Sequence, residues 1–205
     1  MLDKWFESVV KPRLSGRCFM VRYADDFVLA FSTERDARRV MEVLPKRFGK
    51  YGLTLHPTKT RLLRFRPGGR KPDDAVGPGG FDFLGFRHHW ARSRRGIWVV
   101  KRKTMASRFD RTLKRLSHWL RHNRHLPVAK QHRRLTQALL GHYAYFGLSG
   151  NLAALRRLRY EVERIWRKWL ARRGHRSRMV WTYFTQLLRR YPLPTPVIRR
   201  RVAFS

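Results

Sequence analysis

Apolar and polar positions alternate with period two over Phe19–Phe31, with Phe19, Val21 and Tyr23 on the first run and Phe27, Leu29 and Phe31 on the second. Successive side chains on a strand point to opposite faces, so this period predicts two strands. Asp25 and Asp26 fall where the strands turn, which predicts a β-hairpin with two carboxylates at its tip. Ahead of the hairpin, Leu2, Trp5, Phe6, Val9 and Val10 recur at helical spacing and predict a short amphipathic helix over 2–11, closed by Pro12. Behind it, Ser32 or Thr33 is placed to cap a helix whose first turn carries Glu34 and Asp36. Ala37, Val40, Met41, Leu44, Phe48 and Tyr51 form the apolar face of that helix, Pro45 is expected to kink or split it, and Gly52 to stop it.

Short strands are expected at 53–55 and 61–65, on either side of a His56-Pro57 turn. Residues 67–80 read as loop by their Gly and Pro content, and the acidic pair Asp73-Asp74 within them as solvated charge. A second hairpin is expected from 83–90 and 97–103, turning at Ser93 and Gly96. From Thr104 the period becomes helical. Met105, Phe109, Leu113, Leu116 and Leu120 line one helix, and Val128, Leu135, Leu139, Tyr143 and Phe146 a second. Leu155, Leu158, Val162, Ile165, Trp166 and Trp169 line a third, and a weaker fourth covers 178–190 before Pro192, Pro194 and Pro196. The pattern as a whole predicts an α+β fold: an antiparallel sheet with a packed helix over 1–103, then an all-α part over 104–205.

Charge changes this picture most. Lys and Arg number 48 against 13 Asp and Glu, a net charge of +35. A polyanion is the expected partner, nucleic acid before a membrane surface. The 13 Phe, seven Tyr and seven Trp argue against a disordered basic tail. The second half is the stronger footprint, since residues 101–205 carry 27 basic and three acidic side chains. Cys18 is the only cysteine, which excludes an internal disulfide and suits a reducing compartment; its place beside the first strand reads as core packing. No stretch reaches the length of a membrane span and the first residues lack a signal-peptide pattern, so a cytoplasmic location is expected.

Two adjacent carboxylates held on a hairpin repel unless a cation joins them, and a hard divalent ion such as Mg²⁺ suits their oxygens. The competing reading is that Asp-Asp is ordinary turn chemistry. His88 and His89 point to opposite faces of a strand and are assigned no zinc. Trp119, Trp166, Trp169 and Trp181 could stack on bases, but their helical spacing favours core packing.

The Tyr23-Ala-Asp-Asp26 run inside a hydrophobic hairpin resembles the metal-binding hairpin of reverse transcriptases, in the spelling found in group II intron proteins and their relatives. Three more stretches are similar to that family, in its order. Gly52-Leu-Thr-Leu-His-Pro-Thr-Lys-Thr60 looks like the segment after the catalytic hairpin, and Phe81-Asp-Phe-Leu-Gly-Phe86 like the primer-grip hairpin. Gly141-His-Tyr-Ala-Tyr-Phe-Gly-Leu-Ser-Gly-Asn151 looks like the helical thumb, the maturase region often called domain X, and argues for the intron family over retron-type enzymes. On this resemblance 1–103 is a partial polymerase palm with both hairpins, and 104–205 the helical thumb or maturase-specific domain.

The resemblance implies RNA-directed DNA synthesis by two-metal phosphoryl transfer, and help in splicing intron RNA. Asp25 and Asp26 would be catalytic metal ligands for Mg²⁺, with Mn²⁺ as a substitute, and Asp25 is the stronger candidate. Lys59 matches a lysine placed near the leaving pyrophosphate; an ordinary solvated lysine is the alternative. Phe83, Leu84 and Gly85 would position the primer backbone, or simply pack as strand. Arg156, Arg157, Arg159, Arg164, Arg167 and Lys168 are the candidate RNA contacts. The implied partners are structured intron RNA, an RNA template and a DNA primer, with dNTP once an N-terminal half completes the site. One departure matters: the family's polymerase site takes a further Asp from an earlier palm strand, and the acids before Phe19 are Asp3 and Glu7 on the apparent helix. The chain is therefore expected to be an N-terminally truncated form, inactive in isolation. The alternatives are a non-catalytic, basic RNA-binding splicing factor of maturase type, or an inactive remnant.

Overall fold

The computed structural model describes residues 2–67, 80–174 and 179–198. It is mixed α+β, as the periodicities predict, with small antiparallel sheets and helices of up to 19 residues. Its contacts divide into two units, Met1–Leu84 and Gly85–Ser205. The loop with Asp73-Asp74, Arg178 and the Arg199–Arg201 tail lie outside the described residues.

The first unit opens with α1, Leu2–Trp5, which runs on as a π-helical turn, Phe6–Val10, and a 3₁₀ turn, Lys11–Arg13. Pro12 sits in that last turn, and Leu14 leaves in an extended conformation. The wider π turn leaves Trp5, Phe6 and Val10 buried together, the face that the apolar spacing selects. Strands β1, Cys18–Tyr23, and β2, Asp26–Phe31, pair antiparallel, from Cys18 opposite Phe31 to Tyr23 opposite Asp26. Residues directly opposite share a face. Cys18, Met20, Phe27, Leu29 and Phe31 therefore lie together, and they pack with Trp5, Phe6, Val40 and Leu44. Phe19, Val21 and Tyr23 occupy the other face and remain exposed.

Helix α2, Glu34–Gly49, is capped by Thr33, whose Oγ1 accepts the Asp36 N–H at 3.3 Å. Pro45 does not split it. Pro45 is exposed within the helix, and its missing N–H removes one intrahelical bond without ending the helix. Gly52, at φ 67°, comes after the helix has already ended. Asp36 is buried, and its carboxylate accepts from Ser15 Oγ at 3.1 Å and Gly16 N–H at 2.9 Å. Its bond with Thr33, together with these, holds it below the usual carboxylate range. A Cβ at Gly16 would stand 2.2 Å from Ser32 Oγ, so a side chain there would push the Ser32 hydroxyl aside beside the loop that meets Asp36. The strands expected at 53–55 and 61–65 do not form; both segments run as irregular chain. Each apolar run is only two or three residues long, and Leu53, Leu62 and Leu63 stay exposed, so burial does not hold either segment against a sheet. Strand β3, Gly80–Phe83, ends the unit.

In the second unit β4, Phe86–Arg92, and β5, Trp98–Thr104, form the expected hairpin. Ser93 Oγ accepts the N–H groups of Arg95 and Ile97, and Gly96 takes φ 76°. The helices follow as α3, Ala106–His122; α4, Val128–Phe146; α5, Leu152–Leu170; and α6, Trp181–Arg190. Their apolar stripes meet in one core of Leu116, Leu120, Leu135, Leu139, Tyr143, Leu155, Leu158, Val162, Trp166, Leu170, Phe184 and Leu193.

Three buried polar side chains organise this core. Gln131 Nε2 donates to the carbonyls of Asn123, Arg124 and Leu126, and Gln131 Oε1 accepts the Trp166 indole N–H at 2.9 Å. Asn151 Nδ2 donates to Thr104 Oγ1 and the Phe146 carbonyl, and its Oδ1 accepts the Thr104 N–H. This ties the end of β5 to the α4–α5 connection. His142 stacks on Phe146 at 4.4 Å, with Nε2 buried and without a partner among the described residues. Burial, reinforced by Arg115, pushes His142 down to about 4.

Gln131→Leu should be strongly destabilising, because it strands the Trp166 N–H in the interior and takes one donor from each of three loop carbonyls. A loss of about 3 kcal/mol is expected, on the order of 10 °C in thermal midpoint; a midpoint within about 2 °C of the parent would contradict this. His142 gives a pH test. Its folded value lies below its unfolded one, so the unfolded chain binds the extra proton between about pH 6.5 and 4. The stability it contributes is complete above that window and is lost as pH falls through it. The midpoint of His142→Phe relative to the parent should therefore rise as pH drops from 7 to 4, and parallel curves would refute the assignment.

Candidate metal-binding hairpin and cationic helix

The tip of the β1–β2 hairpin is a two-residue turn, Ala24-Asp25. Ala24 takes φ 51°, a left-handed conformation unusual for a residue with a Cβ. Asp25 is thus a turn residue, whereas Asp26 is the first residue of β2, opposite Tyr23. Both carboxylates are exposed. The cation beside them, Arg22, is already engaged. Its Nε and Nη2 grip the two oxygens of Asp3 at 3.0 and 2.6 Å, and its Nη1 donates to the Ala24 carbonyl at 3.2 Å. The Arg22 guanidinium holds Asp3 below its ordinary value, and Asp3, followed by Asp25, raises Arg22. Asp3 therefore ties α1 to the hairpin beside the turn. The sequence marked it only as an acid on the first helix; the bidentate pairing depends on the hairpin folding back over that helix.

The two aspartates offer oxygen donors only. Mg²⁺ takes one or two carboxylates and keeps several waters, so the pair suits part of an Mg²⁺ ligand set. Among the described residues no group of three or more His, Cys, Asp or Glu is placed to hold a metal. His88 and His89 lie opposite Arg102 and Lys101.

Lys59 lies exposed in a turn at 57–59 of the same unit. Phe83 ends β3, and Leu84 and Gly85 both have positive φ, 49° and 79°. This is the backbone sign pattern of a type I′ turn, which glycine takes freely and leucine does not. The Gly85 carbonyl accepts the Met105 N–H at 3.0 Å, and a Cβ there would sit 3.5 Å from the Phe146 ring. Phe86 is buried against Tyr145 and Phe146, with ring centroids 5.9 and 5.1 Å away. The 141–151 stretch therefore serves the fold: it seats Gly85 and Phe86 and, through Asn151, the end of β5.

The candidate RNA contacts on α5 separate into two groups. Arg156, Arg157, Arg164 and Lys168 are exposed, with Arg157 over the Phe109 ring, Lys168 over Trp169, and Arg164 beside Glu161 at 3.4 Å. Arg159 and Arg167 are partly buried and committed within the fold. Arg159 bonds Glu163 at 3.0 Å and Thr195, while Arg167 donates to the Met179 carbonyl and lies 4.3 Å over Trp181. Trp166 is fully buried, and Trp119 and Trp169 pack at the edge of the core, as their spacing suggests; Trp181 remains half exposed. Gln131 was legible only as a polar residue on an otherwise apolar helix face, and nothing in the spacing pairs it with Trp166.

Residues 1–88 match the family model described as reverse transcriptase (RNA-dependent DNA polymerase). No curated protein matches the chain. The matched segment contains Asp25, Asp26, Lys59 and Phe83–Gly85 and ends before the cationic helices. Nucleic-acid template and primer are what this family implies in general, and it is the segment with the Asp25-Asp26 hairpin that carries the reverse transcriptase match.

Proposed function

We propose that the chain is the palm-and-thumb part of a group II intron-type reverse transcriptase/maturase, acting on a primer paired with an RNA template and on structured intron RNA. One observation carries this reading: two adjacent, exposed carboxylates at the tip of a hairpin, within a segment that matches the reverse transcriptase family. Asp25 and Asp26 would hold Mg²⁺, or Mn²⁺ in its place. When bound, the ion supplies charge neutralisation for phosphoryl transfer. The chain's own part is positional. The Arg22–Asp3 clamp braces the hairpin from behind, and the Arg22 bond to the Ala24 carbonyl steadies the turn. Lys59 would meet the pyrophosphate, and the Phe83–Gly85 turn the primer backbone. Arg156, Arg157, Arg164 and Lys168 would meet RNA phosphates; Arg159 and Arg167 would act chiefly by holding α5 to its neighbours.

A second reading, a non-catalytic RNA-binding splicing factor, is favoured by the 27 basic and three acidic side chains of residues 101–205. An RNA surface of this kind needs no metal, so the two readings part at the hairpin.

Titration of Mn²⁺ into the whole chain, read by paramagnetic relaxation of water, should show weak binding that Asp25→Ala reduces severalfold. Superimposable curves for parent and variant would remove the metal assignment and leave the second reading.

Salt dependence addresses the helices. Affinity for folded RNA should fall steeply with salt, with a log–log slope of about −0.9 per phosphate contact on the B-DNA calibration. Arg156→Gln, Arg157→Gln and Lys168→Gln together should make that slope shallower by about 2 to 3, without lowering the thermal midpoint. Arg159→Gln should show the reverse, a lower midpoint with a smaller change in slope. An unchanged slope in the triple variant would exclude α5 from the RNA surface.

A further inference from the structure

At the end of α3 a pocket of about 460 Å³ is lined by Arg121, His122, Arg124, His125 and Arg173. Three segments contribute: the last turn of α3, the connection to α4, and the chain just after α5. A helix C-terminus ordinarily repels anions, because its last carbonyls present partial negative charge. Here the last-turn carbonyls of His118, Trp119 and Arg121 are taken by the side chains of His122, Asn123 and Arg124, and the carbonyls of the connection that follows are covered as well. Gln131 takes the carbonyls of Asn123, Arg124 and Leu126, and Arg173 donates to those of Arg124 and Leu126. With these carbonyls occupied, the connection turns its Arg and His side chains outward.

Arg173 spends Nε and one Nη2 N–H on the carbonyls, and a guanidinium has five N–H donors. His122 donates Nδ1–H to the His118 carbonyl at 2.9 Å and lies tilted against the His118 ring with centroids 4.2 Å apart, which fixes the orientation of its ring. Among the described residues no carboxylate lines the pocket. Glu161 and Glu163 are paired with Arg164 and Arg159, and Asp110 lies 11 residues before Arg121 on the same helix, about 16 Å away. A concave site lined by one sign of charge focuses the field of the chain's +35.

We propose that this pocket is a phosphate-binding site, distinct from both the aspartate hairpin and the α5 stripe. Its ligand is a phosphate group with at least two free oxygens, which the forked guanidinium of Arg121 matches bidentately, while Arg124, whose Nη1 donates to the Arg121 carbonyl, adds its remaining N–H groups. Such a group comes from a nucleic-acid backbone or from a free diphosphate. The proposal does not depend on metal binding at Asp25 and Asp26.

The test uses the whole chain and two probes at fixed ionic strength: a fluorescent single-stranded RNA oligonucleotide read by anisotropy, and inorganic pyrophosphate read by calorimetry. Arg121→Gln with Arg124→Gln is compared with Arg133→Gln with Arg134→Gln, which removes the same charge from exposed positions of α4 outside the pocket. Arg173 is left intact because it holds the loop. The pocket variant should lose about tenfold or more in affinity, against threefold or less for the control. Loss for RNA alone assigns a backbone phosphate, loss for pyrophosphate alone assigns a free diphosphate, and loss for both assigns a general phosphate site. Equal losses in the two variants for both probes would overturn the proposal, since only net charge would then matter. A thermal midpoint unchanged in both variants confirms that folded proteins are compared.

Discussion

The amide of Gln131 is the constraint on which the second unit depends. A fully buried amide costs free energy unless its donors and acceptor are all matched, and here one side chain meets three loop carbonyls and an indole N–H. That single group fixes the depth of α4 beside α5, through Trp166, and the path of the α3–α4 connection. Leucine would fill the space but leave the Trp166 N–H without a partner, and the three loop carbonyls with only their remaining donors, Arg173 and the Leu126 N–H. The apolar stripes supply most of the driving force for collapse. The amide adds a directional requirement that the stripes lack, because its bonds to the loop and to Trp166 are made only with α4 seated at this depth.

The first unit uses acids in the same way. The chain has 13 Asp and Glu against 48 Lys and Arg, so each carboxylate stands in a strongly positive field. Asp36 draws the Ser15-Gly16 loop against α2, Asp3 draws α1 against the hairpin, and Glu34 bridges Arg38 and Arg64. The two Arg partners hold Glu34 down to about 2. In a chain this basic a carboxylate acts as a staple. Asp25 and Asp26 differ: they stand exposed at a tip, beside an arginine that another acid already occupies.

What the sequence could show was what periodicity encodes. The first hairpin and the helices α3 to α6 follow from period two and period 3.6, and the helix stripes are the buried faces. On β1 the period located the strand but not its inner face, since Phe19, Val21 and Tyr23 are exposed and Cys18 and Met20 pack inward. Two local rules misled. Pro45 removes one helix bond, yet the helix runs through it from Glu34 to Gly49 and is not split. The apolar pairs at 53–55 and 61–65 have strand composition but do not carry enough buried surface to hold a strand. Long-range polar pairing was the part periodicity could not reach. Gln131 with Trp166, Asn151 with Thr104, and Asp3 with Arg22 lie 35, 47 and 19 positions apart. The candidate acids were legible through their spelling within the hairpin. The division of the α5 arginines into committed and exposed was not, since it depends on what α6 and the chain beyond it bring alongside.

Ala24 sets a limit on how far this hairpin could be improved. Its left-handed backbone costs on the order of 1 kcal/mol that glycine would not incur. Glycine would also widen the range of directions the turn samples, and with it the directions of the carboxylate that follows. Stability and aim are thus opposed at one residue. A hairpin that only had to hold two strands together would gain from glycine, whereas one that must point a charged group repeatably gains from a stiffer residue even where that residue is strained.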